Sequence, residues 1–253
     1  MDSTANISEI FSSIQGEGKL LGARQLFIRF AGCDLRCAWC DTPDSLVKTK
    51  LCKYEICPGI RKYKSIQNPV SEKDLISILL NMDLDYHHSI SITGGEPLLQ
   101  YKFLDSCIPK LHKKSNKKNK FYLETGGHRP KELKKVVKHF DYVSMDMKLQ
   151  SSTGLKDFYS THEEFIDICL KNKKDFWVKI VVTSKTDVED ILHAVNTVKK
   201  FKKKIKIYLQ PVTIINNIFP PDENELLNIF SSVLNEYQYV RVIPQVHAMS
   251  GIK

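Results

Sequence analysis

Hydrophobic positions along this chain alternate between two periods. Runs rich in β-branched and aromatic residues predict strands at 25–31, 88–93, 120–124, 142–147, 176–183, 204–210 and 239–246. Helical spacing fills the intervals at 74–81, 130–140, 156–170 and 223–237. Ser71 reads as the N-cap of the first of these, with Asp74 three residues on. Thr186 with Glu189 reads as a capping box, opening a helix with the apolar stripe Val188, Ile191, Leu192, Val195 and Val198. Strand–helix alternation of this kind predicts βαβ units around a mostly parallel sheet. Six units and a final strand fit a partial (β/α)6 barrel in a single α/β domain spanning 1–253, with no internal repeat. Such a barrel carries its chemistry on the loops that follow the strands. The stretch 44–70, with Pro58, Gly59 and Pro69, is long for a loop and predicts either an insertion with its own structure or a lid.

Composition adds little to that picture, and charge adds an ambiguity. With 42% hydrophobic and 26% charged residues, the chain is neither disordered nor a disulfide-dense miniature scaffold. The formal charge of +9 raises nucleic-acid binding, yet only six of the 38 basic residues are Arg, the side chain favoured for bidentate phosphate and base recognition. The lysine runs (Lys113, Lys114, Lys117, Lys118, Lys120; Lys199, Lys200, Lys202, Lys203, Lys204, Lys206) fall where helix ends and loops are expected, so a solvated surface is the simpler reading. Direct nucleic-acid binding is not expected. Met1 to Ile10 shows neither a basic n-region nor an apolar h-region, and no apolar run is long enough to span a bilayer. Seven cysteines, an odd number, suit reduced thiols or metal ligands better than a disulfide framework. A cytoplasmic location is expected.

Three of those cysteines sit together after the first predicted strand, as Cys33-x3-Cys37-x2-Cys40. No second ligand pair completes a zinc tetrahedron cleanly. Three thiolates would leave one iron of a cluster open for chemistry, unless Cys52 or Cys57 supplies a fourth ligand. Cys107 and Cys169 fall in helical patterns and read as core thiols. Further polar clusters follow other strands: Thr93-Gly94-Gly95-Glu96-Pro97, Glu124-Thr125-Gly126-Gly127, Ser144-Met145-Asp146-Met147-Lys148 and Leu209-Gln210-Pro211. Each alone is a polar loop. Their recurrence at successive strand ends points to one site.

Together these motifs resemble the radical S-adenosylmethionine (SAM) superfamily. That resemblance implies a [4Fe–4S] cluster on Cys33, Cys37 and Cys40, and SAM near Gly95, Glu96, Glu124, Ser144, Asp146, Lys148 and Gln210. The N-terminal Ile14-Gln15-Gly16-Glu17-Gly18, then Arg29, then Cys40-Asp41-Thr42, and the late Pro244-Gln245-Val246-His247, resemble the 7-carboxy-7-deazaguanine synthase (QueE) family over nearly the whole chain. By that resemblance, Ile14, Gln15, Gly16, Glu17, Thr93 and His247 line the substrate. Arg29 would clamp its carboxylate, and Thr42 would offer an oxygen to Mg²⁺. The implied reaction begins when the reduced cluster cleaves SAM to a 5′-deoxyadenosyl radical. That radical takes the C6 hydrogen of 6-carboxy-5,6,7,8-tetrahydropterin. A Mg²⁺-assisted ring contraction, return of the hydrogen and loss of ammonia give 7-carboxy-7-deazaguanine, a precursor of queuosine or archaeosine. A flavodoxin or ferredoxin donor and a homodimer are implied by the same analogy. Two rivals remain: a radical SAM activase that makes a glycyl radical on a partner protein, and a non-catalytic iron–sulfur or zinc protein that binds RNA.

Overall fold

The computed structural model describes residues 3–115 and 119–252, so Met1, Lys117 and Lys118 lie outside the described residues. Twelve strands form in chain order: β1 (Thr4–Ala5), β2 (Ile7–Ile14), β3 (Arg24–Phe30), β4 (Leu51–Glu55), β5 (Tyr63–Gln67), β6 (Val70–Ser71), β7 (Ser89–Gly94), β8 (Lys120–Thr125), β9 (Tyr142–Asp146), β10 (Asp175–Val182), β11 (Lys206–Pro211) and β12 (Val240–Val242). The helices are α1 (Glu72–Leu80), α2 (Tyr101–Lys114), α3 (Pro130–Val136), α4 (Gln150–Thr153), α5 (Tyr159–Lys171), α6 (Val188–Lys199), α7 (Glu223–Glu236) and α8 (Val246–Ser250).

Ten strands make one sheet, ordered β12-β11-β10-β9-β8-β7-β3-β2-β4-β5. From β3 to β12 every neighbouring pair is parallel and in chain order, which a right-handed succession of βα crossovers produces. This is the six-unit partial barrel with a final strand. On its other side β2 runs antiparallel to β3, and the β4–β5 hairpin adds through β4. The 44–70 stretch is therefore an ordered extension of the sheet, not a structureless lid.

Period-two alternation divides each strand between two compartments. In β10, Phe176, Val178, Ile180 and Val182 join the large core under the helices, whereas Trp177, Lys179 and Val181 face the concave side. Trp177 stacks on Tyr122 (5.4 Å between ring centroids) and packs with Tyr208, plugging the floor of the barrel. Gly18, at φ +59°, turns tightly there; a Cβ would come within 2.7 Å of the Trp177 Nε1.

Two predicted boundaries shift. The cap of α6 is Asp187, whose side chain accepts from Glu189 N, while the Thr186 hydroxyl turns back to Thr183 N, so no capping box forms there. The final strand covers only Val240–Val242, and His247 sits in the short α8 instead of on a strand. Ser71 caps α1 as predicted, accepting from Asp74 N at 3.1 Å.

Candidate active site

The concave face opens at the C-terminal ends of the strands into a cavity of about 790 Å³. All eighteen predicted site residues line it: the seven assigned to substrate, the seven to cofactor and the four to metal. Segments up to 230 residues apart meet there because the C-terminal segment folds back, with Val246 N donating to Gly16 O at 3.1 Å. Gly16 has to be glycine for that contact, since a Cβ would lie 2.3 Å from the His247 ring.

Cys33, Cys37 and Cys40 lie on the loop after β3 as half-buried free thiols. Burial pushes the Cys33 thiol up to about 11 and raises that of Cys37, so both stay protonated at neutral pH until a metal displaces the proton. Among the described residues no three His, Cys, Asp or Glu side chains are gathered tightly enough for a single metal ion. A cubane makes no such demand, because each thiolate takes its own iron. The donor set and its loop fit a three-thiolate cluster. Cys37 packs against the small apolar cluster of Trp39, Val181 and Val212. Cys52 is buried in the core on β4, and Cys57 is exposed away from the cavity wall, so neither offers a fourth ligand. Cys107 and Cys169 are core thiols.

A line of alternating charges crosses the cavity floor. Lys179 Nζ reaches Glu17 Oε2 at 2.7 Å and Asp146 Oδ2 at 3.3 Å, and Asp146 Oδ2 also meets Lys148 Nζ at 2.9 Å. Lys148 lies 4.2 Å from the centre of the Trp39 ring, so the line ends at the cysteine loop. Burial works against the Glu17 carboxylate, but Lys179 and hydrogen bonds from Lys179 and Gln245 outweigh it and hold Glu17 down at about 2. Burial likewise opposes the Lys179 charge, and Glu17 and Asp146 overcome it, raising the ammonium well above its usual range. Asp146 Oδ1 is buried with no hydrogen-bond partner among the described residues.

Lys179 is the one hub residue that sequence reasoning missed. Its signal was available: in Phe176–Val182 it is the only charge in an apolar strand, on the same alternation as Trp177.

The substrate-side residues form a second network. Gln15 Nε2 donates to Glu124 Oε1 (2.8 Å), and Thr93 Oγ1 donates to Glu124 Oε2 (2.7 Å). Gln210 and Gln245 both donate to Glu17 Oε1, at 3.2 and 2.8 Å. Arg29 gives its Nε to Glu9 Oε1 at 2.8 Å and rests on the Phe11 ring. Thr42 precedes the turn at Pro43–Ser45 without its side chain capping it. Glu96, expected beside a ligand ammonium, is 1% exposed and already accepts from Leu98 N, Thr125 Oγ1 and Gly126 N. Its carboxylate ties two loops together. Gly95 is fixed by packing as well: a Cβ there would meet Gly32 O at 2.3 Å and Ser45 O at 2.6 Å.

A parallel partial barrel with three thiols on the loop after β3 defines the class, and the profile of the Radical SAM superfamily matches residues 27–225. As a radical SAM enzyme, this protein works with a [4Fe–4S] cluster and SAM. The 7-carboxy-7-deazaguanine synthase of Geobacter sulfurreducens is 37% identical over 253 residues, covering 98% of this chain and 97% of the relative. That of Archaeoglobus fulgidus is 34% identical over 254 residues, covering 98% and 99%. In fold the chain is similar to the crystal structure of QueE from Escherichia coli, with a TM-score of 0.59, 20% identity and coverage of 96% and 94%. The chain belongs to the 7-carboxy-7-deazaguanine synthase family.

Proposed function

We propose that the cavity holds 6-carboxy-5,6,7,8-tetrahydropterin beside SAM and yields 7-carboxy-7-deazaguanine with loss of ammonia. The observation that carries this reading is the convergence of the thiol loop, Arg29, Thr42 and the Glu17–Lys179–Asp146 line on one wall-to-wall cavity. When bound, the cluster and SAM supply hydrogen-atom abstraction at C6, and Mg²⁺ assists the ring contraction.

The chain's own residues bind and orient. Arg29, with Nε pinned by Glu9, presents the rest of its guanidinium to the substrate carboxylate. Thr42 offers one oxygen to Mg²⁺, a cation that takes few protein ligands and fills its sphere with water and substrate oxygens. Glu17 and Lys179 both stay charged at neutral pH, so they serve as a fixed electrostatic frame and not as a proton-exchanging pair. Ile14, Gln15, Gly16, Thr93 and His247 complete the substrate wall. Gly95, Glu124, Ser144, Asp146, Lys148 and Gln210 face SAM, with the free Asp146 Oδ1 accepting from a ligand hydroxyl. Glu96 supports that side through its loop contacts.

The same reading takes residues 1–253 as one radical SAM domain, working as a cytoplasmic homodimer fed by a flavodoxin or ferredoxin. Among the described residues no helix is long and apolar enough to cross a membrane. A glycyl-radical activase has no use for Arg29 and Thr42 on the same wall.

The deciding experiment is anaerobic cluster reconstitution followed by assay with SAM, reductant, Mg²⁺ and the carboxytetrahydropterin. Formation of 7-carboxy-7-deazaguanine is expected; a glycyl radical on a partner, or salt-sensitive RNA binding without SAM turnover, would replace the reading. Thr42→Ala is expected to shift the Mg²⁺ titration to higher concentration. An unchanged titration removes Thr42 from the metal.

A further inference from the structure

The middle of the cysteine loop is held by side chains that the proposed ligand sets do not include. At its ends the loop is fixed by backbone: Gly32 N and Cys33 N donate to Ser45 O and Leu46 O, and Ala38 N donates to Thr153 O. Between these anchors Leu35 N turns back to Cys33 Sγ, and Arg36 Nη1 to the carbonyls of Cys33 and Leu35. Among the described residues, the hydrogen-bonded side-chain tie from this stretch to another element is Asp34. Its Oδ1 meets His128 Nε2 at 2.9 Å, and its Oδ2 accepts from Arg129 Nη2 at 2.8 Å. His128 and Arg129 belong to the turn between β8 and α3, and Arg129 is braced in turn by Glu132 at 3.0 Å. The His128 side chain is only 5% exposed, and its other nitrogen lies 3.8 Å from Glu96 Oε2. Glu96 then grips Gly126 N and Thr125 Oγ1. His128 Nδ1 makes no hydrogen bond among the described residues, so the tie from Asp34 reaches the Glu96 contacts only through the backbone of residues 126–128.

We propose that Asp34, His128 and Arg129 form a strap that positions Cys33 by holding the cysteine loop to the turn between β8 and α3. They are positioning residues, not ligands. The proposal rests on the reading that Cys33, Cys37 and Cys40 hold the cluster. Three thiolates on one short loop keep their separate irons only while the loop keeps its shape. Partners that orient a ligand loop carry ten- to a hundredfold effects on metal retention.

The test follows iron release from the anaerobically reconstituted enzyme to a ferrous chelator. Asp34→Ala and Arg129→Gln are each expected to release iron about tenfold faster or more, and Arg129→Lys should recover part of the retention. The bridge is partly exposed, so the thermal midpoint of the metal-free variants should stay within about 3 °C of wild type. Wild-type iron release in both variants would overturn the strap. So would faster release accompanied by a matching fall in metal-free stability, which would make the bridge a general brace. If the wild type itself forms no four-iron cluster, or Cys37→Ala still forms one, the underlying reading fails instead.

Discussion

The two ends of the barrel use charge in opposite ways. At the C-terminal ends of the strands, Glu17, Lys179, Asp146 and Lys148 are buried and paired with one another, with Asp146 Oδ1 left free. At the N-terminal ends, lysines crowd the helix-to-strand turns: Lys113 and Lys114 close α2, Lys171 closes α5 and Lys173 follows it, and Lys199 closes α6 with Lys202, Lys203 and Lys204 after it, all exposed. Where those side chains find partners, as Lys199 does in Glu236 at 2.7 Å, both groups remain about half exposed. These exposed lysines add to the +9 charge without lining the cavity. Lys179 and Lys202 are the same amino acid, and burial alone makes one a structural hub and the other a solvated cation.

Substitutions can break this contrast. The largest effect is expected from Cys37→Ala, which should abolish the site-differentiated cluster and turnover together; an intact cubane spectrum in that variant would refute the ligand assignment. Next comes Lys179→Met. It strands Glu17 as a buried charge and leaves Asp146 with Lys148 alone, so urea denaturation should show a loss of about 3–5 kcal/mol. A loss below about 1 kcal/mol would mean the buried line matters no more than the lysine end.

Titration gives a third, somewhat smaller effect at the cavity end. His162 is wholly buried on α5, near Gly126 O, and burial holds its imidazole down at about 4. Between pH 6.5 and about 4 the unfolded chain binds a proton that the native protein refuses. The stability His162 contributes is therefore complete above pH 6.5 and falls on acidification, by ~3 kcal/mol at pH 4. His162→Gln should flatten that slope in thermal melts between pH 7 and 5, and a slope equal to wild type would show that His162 is not its source. The smallest effect belongs to the other end. Lys202→Gln, Lys203→Gln and Lys204→Gln should each stay within about 0.5 kcal/mol of wild type and leave turnover intact.

Sequence pattern showed six of the seven parallel strands to within two residues but ran the last one four residues too far, and the family resemblance named eighteen residues that line one cavity. It lost what depends on tertiary contact. β2 escaped because a bulge between Ile7 and Glu9 interrupts its alternation. The pattern around Cys107 reads as helical, but no span is predicted for α2, because Pro109 inside it reads as a break. The β4–β5 hairpin is half-exposed, so its apolar signal is weak. At the site, the motifs identify Glu96 and Gly95, but only packing shows that one grips two loops and the other makes room for Gly32 and Ser45. Lys179 belongs to no motif and is found only by asking what a lone charge does in a buried strand.

An open barrel leaves two strand edges without partners, and such edges are templates for aggregation. Here both are blunted. One is β12, only three residues long. The other is β5, which carries Lys64 among exposed polar neighbours and ends two residues before Pro69. A chain built this way can keep its sheet open for a ligand without offering that sheet to copies of itself during folding.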